Sequence, residues 1–356
     1  MKIGVPKEIL DQEYRVALTP NSVATLGSLG HQVLIEAKAG VGSGFDDEDY
    51  HKAGAVILPS AREVYAQAKL IVKVKQPLDP DLNQLRADHI LFTFLHLAPD
   101  PVLAKALCEI GLTAYSYETI QSPDGLLPAL LPMSEIAGRL SIQIGAHFLE
   151  KAHGGSGVLL SGIPGVPRGR VVVLGGGIAG TQAARVAIGM GAEVTIFEKS
   201  PKKLRELDQL FSNRARILDS NSPSIASSVK QADLVIGAVL IPGKKPPLLV
   251  KEDTIAAMRA GSVVLDIAID QGGCIETIRP TKHSEPTYLV HEVIHYGVTN
   301  MPGAVPRTST IALNNATLPY AIELAGGYEG DLSGALNIKA GKIVHPAVEE
   351  QLNGLN

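Results

Sequence analysis

Residues 171–200, "VVVLGGGIAGTQAARVAIGMGAEVTIFEKS", pass from a β-branched run through a glycine cluster into an alanine-rich segment, then back to a β-branched run. Strand, turn, helix and strand in that order form the unit from which parallel sheets are built. Within it Gly175, Gly177 and Gly180 keep the spacing G-x-G-x-x-G. The first glycine permits a tight turn, the second lets a pyrophosphate approach the backbone, and the third allows close helix–strand packing. The helix that follows offers free N–H groups and a partial positive charge to phosphate. Glu198 ends the next strand, 18 residues beyond Gly180, where an acidic side chain hydrogen-bonds ribose hydroxyls. The stretch therefore predicts a dinucleotide site. The acid at 198 repels the 2′-phosphate of NADP and favours NAD. Lys199, Lys202 and Lys203 either pair with such a phosphate or face solvent.

The same alternation extends in both directions. Before the glycine loop, candidate strands are 2–6, 32–37, 70–75, 90–96 and 113–119, with helices between them at 21–30 and 60–68. After it come strands at 192–198, 232–239 and 261–270. A long helix is expected over 134–155, with Ser134 as N-cap, Ile136, Leu140, Ile144 and Phe148 at i+4 steps, and Gly154-Gly155 as the stop. A second, near 308–324, ends at Gly326-Gly327 and is expected to kink at Pro319. The fold class is α/β: two Rossmann-like, doubly wound parallel sheets joined by long helices, with a catalytic cleft between them. Residues 1–129 and 306–356 form a discontinuous substrate domain, and 130–305 the dinucleotide domain.

Composition narrows the function. The 356 residues are 45% hydrophobic and 19% charged, with a net charge of −4 and no block of like charges. That excludes disorder and gives no sign of nucleic-acid or anionic-membrane binding. Cys108 and Cys274 are too far apart for zinc or redox spacing and read as free thiols in a reducing compartment. "MKIGVPKEI" is not a signal peptide, and no apolar run reaches the ~18 residues of a membrane span. A cytoplasmic location is expected.

Ligands of open α/β sheets bind beyond the carboxyl ends of the strands. Arg15 follows strand 2–6, Lys75 ends 70–75, His96 ends 90–96, and Asp270 follows "VVLDIAI". Each alone reads as a surface charge, turn residue or core histidine; together they supply two cations, an imidazole and a carboxylate near a nicotinamide. "HEVIH" at 291–295 matches the zinc-protease pattern, but its β-rich surroundings predict a strand, where the two imidazoles would sit ~13 Å apart. No metal is expected.

The stretches "GVPKEI", "EYRVALTP", "VKVKQP", "LFTFLHLA", "PMSEIAGRL", "GGGIAG", "ADLVIGAVLIPG", "DIAIDQGGC" and "NMPGAVPRTST" resemble the alanine dehydrogenase family. That family is shared with the NAD-binding subunit of the proton-pumping nicotinamide nucleotide transhydrogenase. The resemblance implies reversible, NAD-dependent oxidative deamination of L-alanine to pyruvate and ammonium by a homo-hexamer. It further implies that Arg15 and Lys75 hold the substrate carboxylate and that His96 and Asp270 are the acid–base pair. Ser134, Glu198, Lys203, Ser220, Val239, Leu240, Ile267, Arg279 and Asn300 would contact NAD. Two positions depart from the family pattern. Glutamate stands at 198 in place of the usual aspartate. The glutamate–histidine metal pair of some members is incomplete, with Glu323 present but Gly327 at the histidine position. The competing readings are a transhydrogenase component, a dehydrogenase of a related amino acid such as saccharopine, and a nucleotide-binding regulator without turnover. No insertion corresponds to the transhydrogenase's extended mobile loop.

Overall fold

The computed structural model describes residues 1–240 and 246–353. The end of "ADLVIGAVLIPG", residues 241–243, and the chain end beyond 353 lie outside that range. The chain divides into two compact units, Met1–Met133 with Gly303–Asn356, and Ser134–Pro302. These limits differ by four and three residues from those expected at 129 and 306. The first falls inside the helix Leu130–Phe148, the second just ahead of the helix Pro306–Ala325.

The first unit contains β1 (Lys2–Val5), β2 (Gln32–Glu36), β3 (Val56–Leu58), β4 (Leu70–Val72), β5 (Ile90–Thr93) and β6 (Thr113–Ser116), followed late in the chain by β14 (Leu336–Lys339) and β15 (Lys342–Ile343). The second contains β7 (Arg170–Leu174), β8 (Glu193–Glu198), β9 (Arg216–Asp219), β10 (Leu234–Gly237), β11 (Val263–Asp266), β12 (Thr287–Val290) and β13 (Val293–Tyr296). The sheet orders are β15-β14-β6-β5-β4-β1-β2-β3 and β12-β13-β11-β10-β7-β8-β9. Six successive parallel strands in each sheet follow the order 3-2-1-4-5-6, that of the dinucleotide-binding fold. The order reverses between β1 and β4 in one sheet, and between β7 and β10 in the other.

The sheets are mixed rather than wholly parallel. β14 lies antiparallel on β6, and β12 lies antiparallel on β13. The central strands are buried on both faces, as crossover helices require: Leu70, Ile71, Leu91 and Phe92 are at most 1% exposed. Strand ends differ from expectation because a ladder stops where its neighbours stop. β4 ends at Val72 and β5 at Thr93, so Lys75 and His96 stand in the loops beyond, and β6 gives way to a tight turn at Tyr117–Thr119.

Ser134 is not an N-cap. The helix starts at Leu130, with Pro132 in its first turn, where no N–H is needed, and it ends at Phe148, before Gly154-Gly155. The helix Pro306–Ala325 continues through Pro319 and closes at Gly326, with Gly327 at φ 92°. Among the described residues no helix is long and apolar enough to cross a membrane.

Candidate functional site

In the second unit the glycine loop behaves as its spacing requires. Gly175 has φ 98°, and a Cβ there would lie 2.7 Å from the Ala238 carbonyl, across the point where strand order reverses. At Gly180 a Cβ would collide with the Gly175 carbonyl oxygen. At Gly177, the N-cap of the helix Ile178–Gly189, a Cβ would meet nothing within 4 Å, and no side chain caps that helix. Open space beside uncapped helical N–H groups is the cradle a pyrophosphate needs, so these residues fit a dinucleotide.

Glu198, half-buried at the end of β8, has its carboxylate held by three backbone donors. Gly176 N donates to Oε2 at 2.8 Å, while Lys199 N and Ser200 N donate to Oε1 at 2.7 and 2.8 Å. The glutamate thus also ties the glycine loop to the neighbouring strand.

The other expected nucleotide contacts occupy varied settings. Ser220, Val239, Leu240 and Ile267 follow β9, β10 and β11 at their carboxyl ends. Lys203 is exposed and pairs with Glu206 at 3.2 Å. Arg279 lies over the Tyr288 ring at 4.4 Å, and Asn300 takes φ 65° while its carbonyl meets His283 Nε2 at 3.1 Å. Ser134 lies within its helix.

Asp270 is exposed on the turn Ile269–Gln271, just past β11. That turn hangs on Asp266, which is fully buried and accepts from Ala268 N at 3.0 Å and Cys274 N at 2.7 Å. Burial pushes the Asp266 carboxyl above its ordinary range, against the pull of those amide bonds. Gly237 and Gly273 leave room for it, since a Cβ at either would come within 3 Å of its carboxylate.

In the first unit the reversal point carries no glycine loop, and a buried ion cluster fills it. Glu8, after β1, accepts from Val74 N at 2.6 Å and Lys75 N at 3.4 Å. The Lys73 ammonium, 1% exposed, lies 3.3 Å from Glu8 and 3.4 Å from Asp81, and Tyr65 donates to Asp81 at 2.8 Å. Burial pulls Lys73 down, but the two carboxylates more than offset it and hold the ammonium above its ordinary value. Burial raises Glu8, outweighing the pull of Lys73 and of the Val74 amide, and the nearby Glu13 and Asp81 add to the rise.

Arg15 is also buried, its Nε and Nη2 held by Glu13 at 2.7 and 2.5 Å and its Nη1 3.4 Å from the Met133 sulfur. The loop that carries Arg15 is pinned to the returning helix: Val16 N donates to Thr310 and Thr19 N to Asn314. The structure therefore brings Lys75 under Glu8, and Arg15 beside Glu13. His96, half-buried at φ 51°, is bonded through its N–H to Glu118 at 2.5 Å.

Sequence reasoning missed Glu8, Glu13, Lys73, Glu118 and Asp266. "HEVIH" proves to be a hairpin rather than one continuous strand. His291 and Glu292 form its turn with φ 50° and 57°, and His295 is buried against Thr277 and the Val293 carbonyl. Among the described residues one group of three metal-type ligands lies close together: His147, Glu150 and His153, all exposed, near the end of the helix Leu130–Phe148.

Models of the alanine dehydrogenase/PNT family match residues 4–137 (N-terminal domain) and 141–346 (C-terminal domain). The chain is 52% identical over 358 aligned residues to alanine dehydrogenase of Staphylococcus haemolyticus, covering 98% of this chain and 96% of that protein. A solved L-alanine dehydrogenase superposes with a TM-score of 0.96 at 51% identity over 100% of both chains. A transhydrogenase from Sinorhizobium meliloti gives 0.85 at 26% identity, over 98% of this chain and 100% of that one. With both domain models matched, a glycine cradle at one reversal point and an ion cluster at the other, the chain belongs to the alanine dehydrogenase/PNT family.

Proposed function

We propose that this chain is an NAD-dependent alanine dehydrogenase, converting L-alanine, NAD⁺ and water into pyruvate, ammonium, NADH and a proton. The observation that carries this reading is the full-length likeness to alanine dehydrogenases, much greater than to the transhydrogenase. The first unit is the substrate domain and the second the NAD-binding domain, the latter supported by its glycine cradle. NAD, held by the glycine cradle of Gly175, Gly177 and Gly180, would supply the hydride acceptor for the substrate Cα.

Arg15 and Lys75 hold the substrate carboxylate, a guanidinium being suited to that group by shape and charge. Glu13 fixes the plane of the Arg15 guanidinium. Loss of hydride from Cα leaves an iminium carbon that water attacks, and the resulting carbinolamine must lose ammonia. His96 carries protons between the carbinolamine oxygen and nitrogen, since an imidazole can accept a proton at one ring nitrogen and donate one from the other. Asp270, whose carboxylate is exposed, orients the attacking water and balances the cationic imine. Ser134, Glu198, Lys203, Ser220, Val239, Leu240, Ile267, Arg279 and Asn300 are the NAD contacts in this reading. NAD is preferred to NADP because a carboxylate at the end of β8 would repel a 2′-phosphate. The working form is a cytoplasmic homo-hexamer, which light scattering checks.

NAD reduction by purified protein on adding L-alanine, with no partner or membrane, is the direct test. A transhydrogenase component gives no such signal. A panel of L-amino acids, run with NAD and NADP, separates related dehydrogenases. A regulator shows no turnover with any of them.

Two further results follow. The alanine ammonium must lose a proton before hydride can leave Cα, so oxidation at saturating substrates should accelerate from pH 7 to pH 10. A flat profile counts against the mechanism. Gly180→Ala should lower stability by about 1–3 kcal/mol, because the added methyl collides with the Gly175 carbonyl and the helix must shift off the strand. The same shift should raise the KM for NAD at least tenfold, and unchanged NAD titration would refute the cradle.

A further inference from the structure

We propose that Glu118 positions His96, holding the imidazole in its working place by clamping the backbone beneath it. This rests on the reading of His96 as the proton carrier and extends it. β5 ends at Thr93, so His96 stands three residues beyond the sheet, and its φ of 51° is one that residues with a Cβ adopt reluctantly. Glu118 lies two residues past the end of β6, the parallel neighbour of β5. Its Oε1 accepts from His96 N at 2.5 Å and Leu95 N at 3.2 Å, and its Oε2 accepts from Leu95 N at 3.1 Å. Two consecutive amides on one carboxyl group fix the peptide plane that aims the His96 side chain.

The ring itself is set by an aromatic neighbour. Phe94 stacks on the His96 imidazole, with centroids 5.7 Å apart and planes 6° apart, and Tyr117 meets Phe94 edge-on at 5.1 Å. One dipeptide, Tyr117-Glu118, thus orients both the backbone and the ring partner of His96. The device recurs at the other two loops of the reading. Glu8 accepts from the amides of Val74 and Lys75, and Asp266 from those bracketing Asp270. A buried or half-buried carboxylate thus takes amides of each loop that carries Lys75, His96 or Asp270, the support a functional side chain needs within its own unit.

The test uses the full chain carrying Glu118→Ala, Glu118→Gln or His96→Ala, with kcat for alanine oxidation, KM for NAD and Tm measured for each. Glu118→Ala should lower kcat about 100-fold, the scale of an ångström's misplacement of a reacting group, with KM for NAD within twofold of the parent. Glu118→Gln retains one carbonyl acceptor and should fall between, about tenfold down; it also serves where the alanine variant fails to fold. If His96→Ala loses activity while both Glu118 variants keep kcat within threefold, the clamp is wrong and the role of His96 stands. A loss of kcat that runs in step with a rise in KM for NAD and a falling Tm makes Glu118 a general prop and overturns the proposal. If His96→Ala itself keeps kcat within threefold, the reading of His96 fails and the proposal fails with it.

Discussion

His96→Ala is expected to lower kcat for alanine oxidation by about a thousandfold, the range for removing a positioned general acid–base group. Iminium hydration and ammonia loss each need a proton moved between nitrogen and oxygen, and free water does this slowly. NAD affinity should not change, because no residue of the glycine loop or of Glu198's amide cage is touched. Alanine at position 96 must still adopt φ 51°, so a His96→Asn variant, better tolerated in that region, separates lost chemistry from backbone strain. Both variants should be equally inactive in steady-state NAD reduction. Recovery of more than a tenth of the parent rate by asparagine would mean that the loop, not the imidazole, had been broken.

The glycine loop was legible because everything it needs is local. Turn, phosphate approach and helix contact fall within six residues, from Gly175 to Gly180, and each glycine meets its own constraint. The order of the central strands was also within reach, since repeated strand–helix alternation has few right-handed solutions. The edges were not. β14 pairs with β6 more than 200 residues earlier in sequence, and no local pattern encodes that return. Strand ends are hidden for the same reason: "LIVKVK" alternates through Lys75, yet the regular strand ends at Val72, with the backbone bond from Phe94 N to the Val74 carbonyl lying beyond it. The supporting carboxylates were hidden because their partners are amides rather than side chains. Glu8 reaches residues 66 and 67 positions away, and Glu118 residues 22 and 23 positions away. One signal was present. Asp266 sits in the apolar run "VVLDIAI", and an acid in a buried strand must have donors waiting for it.

Lys73 shows how much a single unremarked residue in such a run can hold. "LIVKVK" offers two lysines: Lys75 stands beyond the strand end, and the structure buries Lys73 between Glu8 and Asp81. Lys73→Met keeps the volume and removes the charge, so Glu8 and Asp81 lose the cation they share. Breaking a buried pair in this way costs about 3–5 kcal/mol, more than most single substitutions in a fold of this size. Denaturant midpoints of parent and variant would measure it.

The deficit should also depend on pH, in a direction opposite to ordinary acid denaturation. Burial already holds Glu8 above its unfolded value, and losing Lys73 raises it further. A carboxyl raised in the folded state favours folding when protonated, so that contribution is present at low pH and disappears as pH rises through the folded pKa. The gap between variant and parent should therefore narrow as the pH is lowered through the raised Glu8 pKa. Adding Asp81→Asn should recover part of the loss at neutral pH, because only one charge then lacks a counterion. Alanine turnover should fall in the single variant as well, since Glu8 also holds the Val74 and Lys75 amides. A stability change below 1 kcal/mol, or a gap that widens on acidification, would mean that the cluster is not the charged arrangement these distances describe.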